Sequence, residues 1–290
     1  MFRCPACHAP LDETTFSDPS HCPSCQRPIE TVDGIPLLVR DRQVIEETIA
    51  DARRQGREGW YSKPQLGQWV GPYRHHINKR RQWVEGVLAE RAVRRDREPA
   101  VGLDLGCGDG TNLHWLHGHF SRLYGSDYNM LRLLRAAKLG IDARLFMADI
   151  CDYPAEDDCF DGIFFNHVLE HIPDDAAALG EVRRILKPGG LLILGVPNEG
   201  AAFWQLAYRL QPKVRATSDH RHHYTADSVA AKCREAGLTV ETVHPIGWGV
   251  PHWTLDAAVR RFKWVDDGLE RLGRRFLPGQ STSLYLLLSK

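Results

Sequence analysis

The chain has 290 residues, with 37 basic and 37 acidic side chains and a formal net charge of zero. That balance excludes a protein whose whole surface attracts nucleic acid, although a local basic patch survives a neutral total. No run of roughly 18 apolar residues occurs, so no spanning helix is expected, and Met1 to Pro5 lacks the apolar core of a secretory leader, so a cytoplasmic protein is expected.

Residues 1–40 read as a separate unit. Cys4-Pro5-Ala6-Cys7 and Cys22-Pro23-Ser24-Cys25 are two C-x2-C turns separated by 14 residues. Eight cysteines in a reducing compartment favour metal or free thiols over disulfides. Four thiolates close a tetrahedral zinc shell with no open position, so a structural zinc is expected at Cys4, Cys7, Cys22 and Cys25. So short a segment has too little core of its own, and metal binding would supply its folding energy. Together with Pro28 to Val39, this stretch resembles the zinc-ribbon family of small activator subunits that serve tRNA, ribosomal RNA and release-factor methyltransferases. The resemblance implies a ribbon that packs on and stabilises an enzyme domain, here fused to it. Its few basic residues, Arg3, Arg27 and Arg40, favour that scaffold role over RNA contact.

Residues 41–98 read as a helical linker or lid. Asp41 to Gln55 reads as one helix, broken by Gly56 and Gly59. Trp60, Tyr61 and Trp69 to Tyr73 lie in an irregular aromatic loop. Arg74 to Arg95 reads as a longer helix with Ile77, Trp83, Val84, Val87, Leu88 and Ala92 as its apolar positions. Tyr61, Tyr73, His75 and His76 either line a pocket or pack the linker on the core. Lys79-Arg80-Arg81, with Arg91, Arg94, Arg95 and Arg97, reads as a solvated face.

From residue 99 to 290 strands alternate with helices, which predicts an α/β fold around a parallel sheet. The expected strands are Ala100 to Leu105, Arg122 to Ser126, Ala143 to Met147, Phe160 to Asn166, Leu191 to Val196 and Leu238 to Val243. The expected helices are Thr111 to His119, Met130 to Leu139, Asp174 to Leu186 with Asp174 as its cap, and Ala226 to Ala236. Lys187-Pro188-Gly189-Gly190 reads as a turn. Gly247 to Gly279 reads as an insertion with one basic amphipathic helix, Leu255 to Phe276. Such a helix packs on the domain or on a partner, or lies on an anionic membrane.

Leu103-Asp104-Leu105-Gly106-Cys107-Gly108-Asp109-Gly110 joins strand to helix through a glycine turn, which brings backbone N–H groups close to a ligand. Its spacing is G-x-G-x-G, not the dinucleotide pattern G-x-G-x-x-G. Asp127 ends the next strand, where a carboxylate can accept both hydroxyls of a ribose. Taken together, these residues resemble motif I of the class I S-adenosylmethionine-dependent methyltransferases. That resemblance implies a Rossmann-like, seven-stranded sheet whose last strand, Ser283 to Leu288, inserts antiparallel. It implies a cofactor site made by Asp104, Gly106, Gly108, Gly110, Asp127, Tyr128, Asp149, Ile150 and Asn166, with Asp149 and Ile150 facing the adenine.

Phe160-Asp161-Gly162-Ile163-Phe164-Phe165-Asn166-His167-Val168-Leu169-Glu170-His171-Ile172 and Glu181 to Gly190 resemble the quinone-biosynthesis and related small-molecule methyltransferases. His167 and His171 are the candidate catalytic residues. Imidazole titrates near working pH, so His171 is placed either as a general base or as a structural histidine. The N/D-P-P-Y/F strand end used for nucleobase amino groups is absent, and Cys159 lies at the wrong end of its strand for pyrimidine C5 chemistry. Asp219-His220-Arg221-His222-His223-Tyr224-Thr225 reads as a pocket mouth, with Thr225 also an N-cap and the histidines a weak metal trio lacking a fourth ligand. The expectation is a methyltransferase acting on a small-molecule, lipid-linked or glycan hydroxyl. An enzyme acting on RNA or a translation factor, with the ribbon as recognition module, is the alternative.

Overall fold

The computed structural model describes residues 1–12, 21–54, 71–93, 100–213 and 219–290. Trp60, Tyr61, Trp69, Arg94, Arg95 and Arg97 lie outside the described residues. Four short strands come first: β1 (Phe2–Arg3), β2 (Pro10–Leu11), β3 (Thr31–Val32) and β4 (Ile35–Leu38). Two helices follow, α1 (Arg42–Arg54) and α2 (Arg74–Val93). The alternating part runs β5 (Val101–Leu105), α3 (Leu113–Leu116), β6 (Arg122–Asp127), α4 (Met130–Ala137), β7 (Arg144–Ala148), β8 (Phe160–Asn166), α5 (Asp175–Ile185) and β9 (Leu186–Pro197). It ends with α6 (Ala202–Leu210), α7 (Ala226–Glu235), β10 (Thr239–Ile246), α8 (Trp253–Arg260), α9 (Lys263–Phe276) and β11 (Ser283–Ser289).

Nine strands form one sheet in the order β10-β11-β9-β8-β5-β6-β7-β4-β3. The pairs β5–β6, β6–β7, β5–β8 and β8–β9 are parallel, and β11 is antiparallel to both β9 and β10. The expected antiparallel insertion of the last strand is present. Side chains alternate across the sheet. Leu103, Leu105, Ile163, Phe165, Leu192 and Leu194 face α5 and α7, whose Leu179, Val182 and Val229 complete that core. Phe164 and Ile193 face the other way, against Val84, Leu113, Trp115 and Leu133 of α2, α3 and α4. Both faces are covered, which is why the central strands read as nearly continuous apolar runs. The Phe120 ring lies over the paired glycines Gly102 and Gly162, where a Cβ would come within 2.4 and 2.8 Å of it.

The N-terminal segment, read from the sequence as a unit apart, is joined to this sheet. Leu37 and Leu38 of β4 pair in parallel with Met147 and Ala148 of β7. Phe2 is buried among Tyr124, Phe146 and Phe160, at centroid distances of 5.2, 5.1 and 6.5 Å.

Three expected elements need correction. Lys187 to Gly190 does not simply turn: β9 already starts at Leu186, which pairs with Phe160, and the register shifts before Gly162 meets Leu191. The Pro-Gly-Gly stretch is therefore a bulge inside a long strand. Strand Leu238 to Val243 runs on to Ile246, and Pro245 is tolerated because β10 is an edge strand. The single helix Leu255 to Phe276 is two helices, parted at extended Phe262 (φ −95°, ψ 122°). Arg260 ties them across the break: its Nε donates to Asp266 Oδ1 at 2.7 Å, and its guanidinium lies 3.6 Å from Asp256. Lys79 of α2 also reaches Asp266, at 2.6 Å, and so anchors the pair to the domain. Asp174 and Thr225 cap α5 and α7 as read from the sequence, Thr225 in a capping box with Ser228.

Candidate functional site

The strand order reverses at β5, between β6 and β8, and ligands in such sheets bind beyond the carboxyl ends at that point. A cavity of about 1420 Å³ opens there. It is large enough for a nucleotide-sized cofactor and a second molecule, since single-ligand pockets span roughly 300–1,000 Å³.

One wall is backbone. After Leu105 the chain turns at Gly106, whose φ is +75° and whose added Cβ would lie 2.4 Å from Val168 Cγ2. Only glycine meets both conditions. The Gly106 and Cys107 N–H groups donate to Ser126 O at 2.8 and 2.9 Å, fixing the turn to the end of β6. Asp127 accepts from Gly108 N at 2.9 Å and from Asn129 N at 2.8 Å. Burial raises its pKa, and those two N–H donors only partly oppose the shift. Below the turn lies Asp104, 1% exposed, with neither carboxylate oxygen hydrogen-bonded among the described residues. Burial pushes its pKa up to about 8, against the nearby Arg80 charge.

Gly106, Asp127, Tyr128, Asp149, Ile150, Asn166, His167 and His171 all line this one cavity. Asp104, Gly108 and Gly110 do not line it; the two glycines shape the turn, with φ of +55° and +78°. Asp149 Oδ1 also accepts from Cys151 N at 2.9 Å and so caps the short helical turn after β7. Asn166 Oδ1 accepts from the Tyr285 hydroxyl of β11 at 2.7 Å. From the linker, Tyr73 and His76 join the lining and His75 does not. His76 is half-buried, and its pKa falls well below the usual value because removal of the ring from water disfavours the cation. A buried carboxylate at Asp104 and a glycine turn that a Cβ would fill suit a cationic, nucleoside-bearing cofactor.

The opposite wall is side chains from three segments. His167, at φ +54°, donates its backbone N–H to Gly195 O at 2.8 Å. Glu170 is 1% exposed, and neither of its carboxylate oxygens has a hydrogen-bond partner among the described residues. His167 Nδ1 lies 3.5 Å and His171 Nε2 3.9 Å from Glu170 Oε1. His171 Nδ1 faces Asp219 Oδ1 at 3.0 Å. The His171 and His220 rings meet edge to face, 4.7 Å apart. Glu199, at the end of β9, collects His220 Nδ1 at 2.8 Å, His223 Nδ1 at 3.0 Å and the Tyr208 hydroxyl. Burial alone would raise the Glu199 pKa, but the His220 hydrogen bond and its charge outweigh burial and hold it down. The His220 pKa is raised in turn, burial being outweighed by Glu199.

His222 turns away to Ile172 O at 2.9 Å, so the sequence trio His220, His222 and His223 does not converge. Sequence reading also missed Arg80 and Glu170. Arg80, read as part of a solvated face, is buried in the cavity wall and donates to Asn112 Oδ1 at 3.1 Å. The signal was its spacing: Ile77, Arg80 and Val84 share one helical face. Glu170 gave no signal, because nothing in the sequence marks a carboxylate for burial.

At the N-terminus the four cysteine sulfurs lie within 4.8 Å of one another, Cys4 Sγ 3.8 Å from Cys25 Sγ and Cys7 Sγ 3.6 Å from Cys22 Sγ. A tetrahedron with zinc–sulfur bonds of about 2.3 Å has edges of about 3.8 Å, so the cluster fits that ion. The backbone hydrogen bond at Ala9 lowers the Cys7 thiol to about 7, whereas burial pushes Cys4 up to about 12.

The family model described as a methyltransferase domain matches residues 73–243, more than half of the chain. An uncharacterized 37.1 kDa protein in transposon TN4556 of Streptomyces fradiae is 33% identical over 159 residues, which are 50% of this chain and 45% of that one. This chain thus spans less than half the length of that relative. A ubiquinone biosynthesis O-methyltransferase of Thiobacillus denitrificans is 30% identical over 185 residues, 58% of this chain and 74% of that enzyme. A chain from the complex between the Haloferax volcanii Trm112 methyltransferase activator and a methyltransferase has the same fold. It aligns with a TM-score of 0.54 at 20% identity, over 81% of this chain and 99% of that one.

Proposed function

This chain belongs to the methyltransferase-domain family, its fold is that of class I S-adenosylmethionine-dependent methyltransferases, and we propose that it methylates a hydroxyl of a quinone-like, lipid-linked small molecule. The observation that carries the acceptor reading is the wall of His167, Glu170, His171 and His220 facing the glycine turn across one cavity. Such a wall can hold a hydroxyl and receive its proton, and it offers no strand end suited to a nucleobase amino group.

S-adenosylmethionine supplies an electrophilic methyl group on a sulfonium. On this reading, Asp127 takes the ribose hydroxyls, Asp149 and the Ile150 N–H meet the adenine, and Tyr128 covers the nucleoside. Gly106, Gly108 and Gly110 let the backbone close on the methionine portion, and the Asp104 carboxyl lies buried beneath the turn. Asn166, fixed by Tyr285, stands at the strand end between the two ligands. The chain's main work is to align the acceptor oxygen with the methyl group and exclude water. The oxygen forms the new C–O bond, the C–S electron pair stays on sulfur, and the hydroxyl proton goes to His167 or His171.

Cys4, Cys7, Cys22 and Cys25 hold a structural zinc ion, which fixes the N-terminal segment whose β4 pairs with β7. Thiolates of this kind persist in the cytoplasm, where we place the enzyme. No helix among the described residues is long and apolar enough to cross a membrane. The acceptor is reached instead by surface contact. Phe262, Trp264, Leu272 and Phe276 are exposed on or beside α9, Trp264 by 77%, among exposed Arg261, Lys263, Arg271, Arg274 and Arg275. A basic face with exposed aromatics suits an anionic lipid surface.

The test incubates the protein with methyl-labelled S-adenosylmethionine and cell extract, then separates lipid, small polar, RNA and protein fractions. Label in the lipid fraction, absent with Asp127→Asn, is the expected result. Label in RNA or protein would overturn the acceptor reading and favour the ribbon as a recognition module.

A further inference from the structure

We infer that Glu170, His171 and His220 form a binding site for one divalent transition-metal ion at the acceptor end of the cavity. The inference deepens the acceptor reading above and rests on it for the role of the ion, but not for the site itself.

Three observations converge. The ligand atoms of Glu170, His171 and His220 all lie within 4.8 Å of one another, the separation that a single ion spans. Glu170 is 1% exposed in the cavity wall, with neither oxygen hydrogen-bonded among the described residues. A buried carboxylate so placed needs compensating charge, and a cation supplies it directly. The third observation is the set of groups behind the ligands. His220 Nδ1 faces Glu199 at 2.8 Å, and His171 Nδ1 faces Asp219 at 3.0 Å. At His220 the Glu199 carboxylate hydrogen-bonded to Nδ1 keeps the proton there and makes Nε2 the ligating nitrogen. His171 Nε2 is the atom on the Glu170 side. Glu199 is itself fixed by Tyr208 and His223. Glu199 is thus a positioning residue for the His220 imidazole, and the Asp219 carboxylate lies beside that of His171.

Two imidazoles and one carboxylate suit zinc, iron, cobalt or nickel rather than magnesium or calcium. They also leave coordination positions open, unlike the four-thiolate cluster. An acceptor hydroxyl bound at an open position loses its proton more readily. His171 is then a ligand, and the proton goes to His167. The methyl group moves to oxygen, and sulfur keeps the C–S electron pair.

The test titrates the full-length, zinc-loaded protein with Co²⁺ alone, followed by visible absorption and by metal analysis after gel filtration. One Co²⁺ per chain is expected, with a spectrum lacking thiolate charge transfer. Glu170→Gln and His220→Ala should each weaken Co²⁺ binding by at least about tenfold, and Glu199→Gln by about tenfold. Retained S-adenosylmethionine binding shows that each variant is folded, and if one variant loses it the other decides. Co²⁺ bound only with a thiolate band, or bound equally well by both ligand variants, would overturn the inference. A chelated protein that binds S-adenosylmethionine and methylates a catechol at full rate would overturn the ion's role in transfer and leave the methyltransferase reading intact. A protein that binds Co²⁺ as expected but transfers no methyl to any hydroxyl would leave the metal site intact and overturn the acceptor reading.

Discussion

At the cofactor end of the cavity Asp127 is held by two backbone N–H groups, those of Gly108 and Asn129. At the acceptor end Glu199 is held by three side chains, Tyr208, His220 and His223. The first carboxylate depends on the path of the chain over a few residues. The second depends on segments that meet only because β9, α6 and the 219–223 stretch pack together. A backbone site keeps its geometry while its turn survives, whereas a side-chain site can change ligand without changing fold. The difference suits an enzyme that keeps one cofactor and adapts its acceptor.

The sharpest way to break the comparison is Gly106→Val. A side chain at φ +75° costs about 1–2 kcal/mol, and forcing Cβ into Val168 adds roughly 1–3 kcal/mol. We expect a lower melting temperature and loss of S-adenosylmethionine binding by equilibrium dialysis. Wild-type affinity in this variant would show that the turn is not part of the cofactor site.

Glu199→Gln probes the other end. Replacing the acceptor of three hydrogen bonds should cost about 1–3 kcal/mol in urea unfolding. Acceptor KM should rise while S-adenosylmethionine affinity stays within about twofold, on the scale where 1.4 kcal/mol is a factor of ten. An equal loss of cofactor binding would show that the two ends are not independent.

Asp104 gives a pH-dependent contrast within the cofactor end. Its carboxyl pKa is raised by burial from 3.8 to about 8, so the folded chain holds a proton that the unfolded chain has released across that window. Its contribution to stability is therefore fully present below pH 3.8 and falls as pH rises to about 8. Asp104→Asn should flatten that slope in unfolding curves measured across the window. An unchanged slope would place the linkage elsewhere.

The smallest effect on the fold is expected at the surface. Trp264→Ser should change stability by no more than about 0.5 kcal/mol and leave cofactor binding alone. Sedimentation with vesicles of anionic phospholipid should fall several-fold. Unchanged sedimentation would remove the lipid-surface role from α9.

The antiparallel last strand was implied by the family resemblance; the sequence by itself determined the alternating strands and helices, the two caps at Asp174 and Thr225, and the glycine turn with Asp127. These are set by periodicities of two and 3.6, by cap chemistry and by backbone constraints, all of which act over a few neighbouring residues. The paired cysteines were legible for the same reason, since two short turns announce their ligands. Only the tertiary structure decided the rest. It joined β4 to β7, because an edge strand offers unpaired backbone to any segment that reaches it. It split the insertion at Phe262, where Arg260 meets Asp256 and Asp266 in a buried ionic knot that no local signal marks. It also buried Glu170 beside His171 and His220, about 50 residues apart, because which polar groups share a cavity follows from how strand ends and loops pack, not from any spacing along the chain.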